Sequence, residues 1–208
     1  MQALSFYLLY PFIYLIASLP FRALYTVSDI LYVLLRLTGY RRRVVLNNLK
    51  NSFPEKSEKE INSICDKYYR YLCDLTLETL KTLKMTEQES RERCVFHQRS
   101  WLTKLHEEGK SLIIVMGHYG NWEWAGPGFA LSTPFPLVVI YRPLSHPHFE
   151  KMMTRMRTRF GTRITPEDKT LRDMVARNRE ITATAFIADQ TPVDIKNAYW
   201  TNFLNQDT

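Results

Sequence analysis

Glycine is scarce in this chain, seven among 208 residues, and nowhere do glycines cluster into the loop that cradles a nucleotide phosphate. Cysteine is scarcer. Cys65, Cys73 and Cys94 are an odd number without metal-ligand spacing, which argues against a disulfide framework and against a zinc site. Cys65 and Cys73 fall in one helical pattern, and the three are expected as reduced, buried thiols of a cytoplasm-facing protein. No metal or nucleotide cofactor is expected. Internal repeats, low-complexity tracts and nucleic-acid-binding motifs are all absent, so nucleic acid is not an expected partner. Charge is missing altogether from residues 1–21. That run has no basic segment before it and no small-residue cleavage site after it, so it does not read as a signal peptide.

What is present is an ordinary globular balance, 45% hydrophobic and 24% charged residues, with a net charge of +7. The length suits one domain with appendages and can bury a sizeable core. The positive charge is uneven, since Arg41-Arg42-Arg43 follow soon after the uncharged start. A basic, aromatic-rich chain with such a leader suits an anionic membrane surface.

Leu4 to Leu19 is apolar and aromatic, interrupted by Pro11 and closed by Pro20. It falls short of the roughly 20 residues of a clean span. In 21–38, Arg22, Asp29 and Arg36 recur every seven residues, nearly two helical turns, and so form one polar stripe. That pattern suits a helix lying at an interface. Residues 1–38 are therefore expected as membrane-anchoring hydrophobic helices, with a pair of core helices as the alternative, and spanning or lying flat is left open. Residues 39–208 form the second expected domain. It opens with a basic amphipathic stretch, Arg41 to Pro54, followed by a capping box at Ser57 and Glu60. The helix from there is expected to run to Leu83. A helix over 97–108, a strand at 111–116, a helix after 121 and a strand at 136–141 come next. A helix over 147–160, a short strand at 163–165, a helix over 167–178 and a strand at 181–188 continue the alternation. This is an α/β pattern, a mostly parallel sheet flanked by helices. The segment Asn205 to Thr208 adds neither helix nor closing strand, so a C-terminal part of the domain is expected to be missing.

The chemistry concentrates in Gly117-His118-Tyr119-Gly120-Asn121-Trp122-Glu123. It follows the strand at 111–116, where open α/β folds build their sites. An imidazole of near-neutral pKa takes a proton from an attacking hydroxyl, and a carboxylate on its far nitrogen fixes the tautomer. Within one helix, five positions turn side chains about 140° apart. With His118 on the loop and Glu123 in the first helical turn, the two can converge. The plain alternative makes His118 a cap and Glu123 an ordinary first-turn acid.

Five blocks, RRRVVLNNLKNSFP, MGHYGNWE, VIYRP, MRTRFGTRI and FIADQTP, occur in an order and spacing that resembles the late acyltransferases of lipid A biosynthesis. These are the lauroyl and myristoyl transferases of the lysophospholipid acyltransferase superfamily. The resemblance covers essentially the whole chain and implies a lysophospholipid acyltransferase-like fold. It places the catalytic pair on His118 and Glu123, an arginine on Arg157 with Arg159 the neighbouring choice, and an aspartate on Asp189, followed by Gln190. Arg157 and Arg159 also fit a solvated basic helix face, and Asp189 fits a strand-end cap. Arg142 holds an anionic group or forms a structural ion pair, and both readings stay open. His146 and His148 are expected as surface loop residues.

The resemblance further implies transfer of a fatty acyl chain from the thioester of acyl carrier protein to a hydroxyl of a lipid A precursor. It also implies the bacterial inner membrane, with the site facing the cytoplasm. His118 would act as the general base and Glu123 as its orienting acid. The same chemistry on a lyso-aminolipid or lysophospholipid is one competing reading. A non-catalytic, membrane-anchored binding protein is another.

Overall fold

The computed structural model describes residues 2–97, 99–190, 196 and 198–208. The chain divides into two compact units, one of Met1–Ser18 and Thr79–Asp189, the other of Leu19–Glu78 and Gln190–Thr208. The expected anchor, 1–38, is thus shared between them.

The first unit holds the sheet. Strands β1 (Leu112–Met116), β2 (Leu137–Tyr141), β3 (Arg163–Pro166) and β4 (Ala183–Ile187) lie in the order β1-β4-β2-β3, and every pairing is parallel. The α/β alternation expected from sequence is therefore present. β1, β2 and β4 are short, largely apolar runs, as strands of a parallel sheet tend to be, while the edge strand β3 carries an exposed Arg163. Phe129, Phe135, Leu137, Ala183 and Ala185 form the core on one sheet face, joined by Phe96, Leu102, Leu105, Leu112 and Ile114. The edge strand β1 leaves Ile113 and Val115 exposed on its other face.

Helix α1 (Gln2–Ser18), α5 (Glu87–Arg93), α6 (Arg99–Glu107), α7 (Trp122–Ser132), α8 (Pro147–Thr158) and α9 (Thr170–Ala176) belong to this unit. α6 stops where Gly109 takes a left-handed φ of 71°, a conformation glycine adopts without a Cβ clash. Part of the expected helix over 167–178 is a 3-10 turn, Glu167–Lys169, before α9 begins. α5 was not expected; its signal is a second capping box, Thr86 with Glu89. His146 and His148, expected in a surface loop, are only half-exposed. The His146 ring accepts the Phe149 N–H at the start of α8, 3.5 Å away, and His148 stacks on Phe6 of α1 at 5.3 Å. Aromatic contacts with α1 thus draw both rings out of solvent.

The second unit contains α2 (Phe21–Thr38), α3 (Arg42–Ser52) and most of α4 (Glu58–Lys81). The capping box expected at Ser57 and Glu60 opens α4. Polar and aromatic groups of α2 face α4. Tyr25 donates to Glu78 at 2.7 Å, Ser28 to Asp74 at 2.5 Å, and Asp29 meets Arg70 at 3.2 Å. Cys65 and Cys73 are buried with Tyr32 and Tyr69 and are free thiols, while Cys94, in the first unit, is only half-buried. Burial pushes all three thiols up in pKa. Asn202–Phe203 and Gln206–Asp207 pair as strands β5 and β6 of a small antiparallel hairpin, where no strand was expected. Its turn places Leu204 and Asn205 at φ of 53° and 59°, so pattern alone gave no turn signal at Leu204.

Gly128 in α7 lets that helix approach the end of α5. A Cβ there would lie 2.8 Å from both Cβ and Sγ of Cys94 and 3.2 Å from its carbonyl oxygen. Overpacking of this kind costs about 1–3 kcal/mol, against about 1 kcal/mol gained by replacing a helical glycine with alanine. Gly128→Ala is therefore expected to lower unfolding free energy in a urea titration by up to about 2 kcal/mol. A stability gain would show that the two helices yield without cost.

Candidate active site

β1 and β4 are neighbours in parallel register, with Met116 opposite Ile187. Each chain leaves the sheet by its carboxyl end, and each places a functional residue two positions beyond its last paired residue. These are His118 and Asp189. The pairing brings together residues 71 positions apart in the chain. Nδ1 of His118 lies 2.6 Å from Oδ1 of Asp189, and the backbone N–H of His118 donates to Oδ2 at 2.6 Å. A single carboxylate thus grips both the ring and the main chain of the histidine. The two hydrogen bonds from His118, that of the ring first, hold the Asp189 carboxyl below the usual aspartate range.

Gly117 is what permits this approach. A Cβ at that position would sit 2.9 Å from Oδ2 of Asp189 and 3.3 Å from its Cγ. The carboxylate, pinned by both bonds, would have to give way. On its other flank the imidazole meets the Trp122 ring edge-to-face, centroids 4.7 Å apart. The sequence names Gly117 and Trp122 as parts of the motif but assigns neither a role. The signal for Gly117 was its place immediately before a histidine at a strand end, where the absence of a side chain leaves room for a neighbour.

Glu123 has a different partner from the one expected. It stands in the first turn of α7, a helix capped by Asn121, whose side chain accepts the Trp124 N–H at 3.1 Å. Both of its carboxylate oxygens accept from Arg157 of α8, one from Nε at 3.1 Å and the other from Nη2 in a still closer contact. Glu123 stands in the first helical turn, as expected, but from there it meets α8, and the imidazole takes its carboxylate from the end of β4 instead. The pair is mostly out of solvent, with side chains 10% and 26% exposed for Glu123 and Arg157. Burial opposes the arginine's charge, but Glu123, and beyond it Glu150, outweigh burial and raise the guanidinium pKa. A bidentate arginine–carboxylate pair fixes geometry as well as charge. Removing one partner strands the other's charge, a cost of about 3–5 kcal/mol when the pair is buried.

The remaining candidates lie apart from this centre. Arg159 donates to the Thr82 carbonyl at 2.7 Å, so of the two arginines it is Arg157 that reaches Glu123. Arg142 is 80% exposed and stands 3.6 Å from Glu167, an open ion pair that leaves the head largely in solvent. Gln190 follows Asp189, is exposed, and is grouped with the second unit. Thr191 and Pro192, which close the FIADQTP block, lie outside the described residues. Among the described residues no cluster of histidine, cysteine and carboxylate side chains suits a metal ion.

Fold and site together define an α/β protein carrying a histidine–carboxylate pair of the kind that moves protons. The chain belongs to the bacterial lipid A biosynthesis acyltransferase family, whose model matches residues 1–208. No individually curated protein matches the chain.

The depressed pKa of Asp189 has a consequence for stability. A carboxyl whose pKa is lowered by folding contributes stability above its unfolded value, and loses it as pH falls through the folded value. Wild type is therefore expected to melt above Asp189→Asn at neutral pH, with the gap closing as the solution is acidified below the usual aspartate range. A gap that stays constant into acid would mean that the carboxylate is not held by His118.

Proposed function

We propose that this acyltransferase moves a fatty acyl chain from acyl carrier protein to a hydroxyl of a lipid A precursor, with His118 as general base. The observation that carries the reading is the His118–Asp189 pair at the carboxyl edge of the sheet, in a chain of the lipid A acyltransferase family. With Nδ1 committed to Asp189, Nε2 is the nitrogen that takes the acceptor's proton. The acceptor oxygen adds to the thioester carbonyl, forming the new C–O bond and an oxyanion, and collapse of that adduct breaks the C–S bond. The departing thiolate takes the proton back from the imidazolium, which leaves an ester and a free thiol. Asp189 sets the tautomer and balances the imidazolium charge. N–H groups in the first turn of α7 would stabilise the oxyanion. No step needs a metal, a nucleotide or an acyl-enzyme.

Glu123 and Arg157 act in this scheme as a brace between α7 and α8, keeping the loop from 117 to 121 in place. Arg142, with its exposed guanidinium, is the group suited to an acceptor phosphate. The excess of basic side chains suits both an acidic carrier protein and an anionic membrane. Arg159 and Gln190 have no assigned part in the chemistry.

Membrane association is supported by the family and by surface. Among the described residues no helix is long and apolar enough to cross a membrane. Instead Leu4, Leu8, Phe12 and Leu15 form an exposed apolar row on α1, and Ile30, Val33, Leu34 and Leu37 form another on α2. Rows of this kind suit helices lying in the headgroup boundary. The inner membrane, with the site toward the cytoplasm, is the placement in keeping with this acceptor and donor.

The test is acyl transfer from acyl carrier protein to a lipid A precursor, using the full chain in detergent beside His118→Ala. Wild type is expected to transfer and the variant to lose at least about a hundredfold in rate, the low end of what a general base contributes. Equal turnover by both would remove His118 from the base role. A folded wild type that acylates only other membrane lipids would move the acceptor to a lyso-aminolipid or lysophospholipid.

A further inference from the structure

The brace between Glu123 and Arg157 continues into a longer polar line, and its far end has no role so far. Glu150 sits in the first turn of α8, half-buried. Its Oε1 accepts from the Tyr141 hydroxyl at 2.8 Å and from the Thr154 hydroxyl at 3.2 Å, and its Oε2 accepts the Leu144 N–H at 2.8 Å. Three elements are therefore tied to one carboxylate: the end of β2, the loop carrying Arg142, and α8 itself. Residues 150, 154 and 157 recur at helical spacing and share one face of α8. Tyr141, Glu150 and Thr154 thus form one hydrogen-bonded group, and Arg157, paired with Glu123, follows it on the same face of α8.

We infer that Glu150 is a positioning residue that acts through Arg157, holding the guanidinium on Glu123 and so fixing the start of α7 beside His118. Two kinds of observation carry it. The hydrogen bonds fix where α8 begins relative to β2, and so fix where its next two turns put Arg157. The charge of Glu150 is also felt at Arg157, where it helps hold the proton. Burial opposes ionisation of Glu150, but the Leu144 N–H, the Tyr141 and Thr154 hydroxyls and then Arg157 outweigh it, and its pKa falls below the usual glutamate value. Arg157 therefore lies under the influence of two carboxylates, one in contact and one behind it. With only Glu123 it would have a partner but no backing, and its long side chain would regain rotamer freedom. The consequence for turnover rests on the acyltransfer reading above. The consequence for Arg157 does not.

Glu150→Gln keeps size and one acceptor oxygen but removes the charge. It also turns the second acceptor into an NH2 donor, so that either the Leu144 N–H or the two hydroxyls lose their acceptor. In the intact protein it is expected to speed exchange of the Arg157 Nε–H with water at least about tenfold, read by nitrogen-15 NMR with the resonance assigned from Arg157→Lys. Melting temperature is expected to fall somewhat, because bonds to the carboxylate are lost. Backbone amide exchange away from the end of β2 and the start of α8 is expected to stay as in wild type, which a general loosening of the fold would not allow. In the transfer assay, kcat per folded enzyme is expected to fall about tenfold, with KM for donor and acceptor within about twofold. Tyr141→Phe, which removes one bond and keeps the charge, is the milder variant in case Glu150→Gln folds poorly. It is expected to shift both readouts in the same direction by a smaller factor. Unchanged Arg157 Nε–H exchange in these variants would overturn the inference, as would a kcat loss explained by lost folded protein. A wild type inactive in the assay would sink the acyltransfer reading alone, because the exchange measurement still decides what Glu150 does.

Discussion

The parallel pairing of β1 with β4 is the constraint on which the site depends. Residues 118 and 189 are remote in sequence, and no local preference brings them together. Adjacent parallel strands in matched register do so, because both chains leave the sheet on the same side and at the same height. The 2.6 Å contact between His118 Nδ1 and Asp189 follows from that register, from Gly117 leaving space for the carboxylate, and from the main-chain N–H that gives the carboxylate a second anchor. Were β1 to slip by one residue against β4, side chains would exchange faces and the imidazole would lose its partner.

Around this pair the structure separates two electrostatic tasks. Asp189 holds the imidazole and is itself partly open to solvent. Glu123 and Arg157 are withdrawn from solvent, where an ion pair is screened little and geometry matters most. A carboxylate in that second setting is suited to bracing helices, and one in the first is suited to orienting an imidazole. The apolar rows on α1 and α2 lie on different compact units, so both units have surface suited to an interface.

Much of this was legible from sequence, for reasons that differ by element. Short apolar runs marked β1, β2 and β4 because strands of a parallel sheet read as near-continuous hydrophobic stretches. The box at Ser57 and Glu60 marked the start of α4 because its hydrogen bonds are local. His118 stood out for its place at a strand end. Which carboxylate contacts it was not legible, since Glu123 is near in sequence while Asp189 is brought near only by strand order. His146 and His148 were misplaced for a related reason, as their contacts with Phe6 come from a helix 140 residues earlier in the chain. The hairpin at 202–207 escaped notice because strands of two residues carry no periodicity.

The central claim is that the carboxylate governing His118 belongs to Asp189. Its most direct test is the ring tautomer, read from nitrogen-15 shifts of histidine-labelled protein at a pH where His118 is neutral. The account predicts the proton on Nδ1 in wild type, retained in Glu123→Gln and lost or redistributed in Asp189→Asn. A tautomer that follows Glu123 and ignores Asp189 would contradict it.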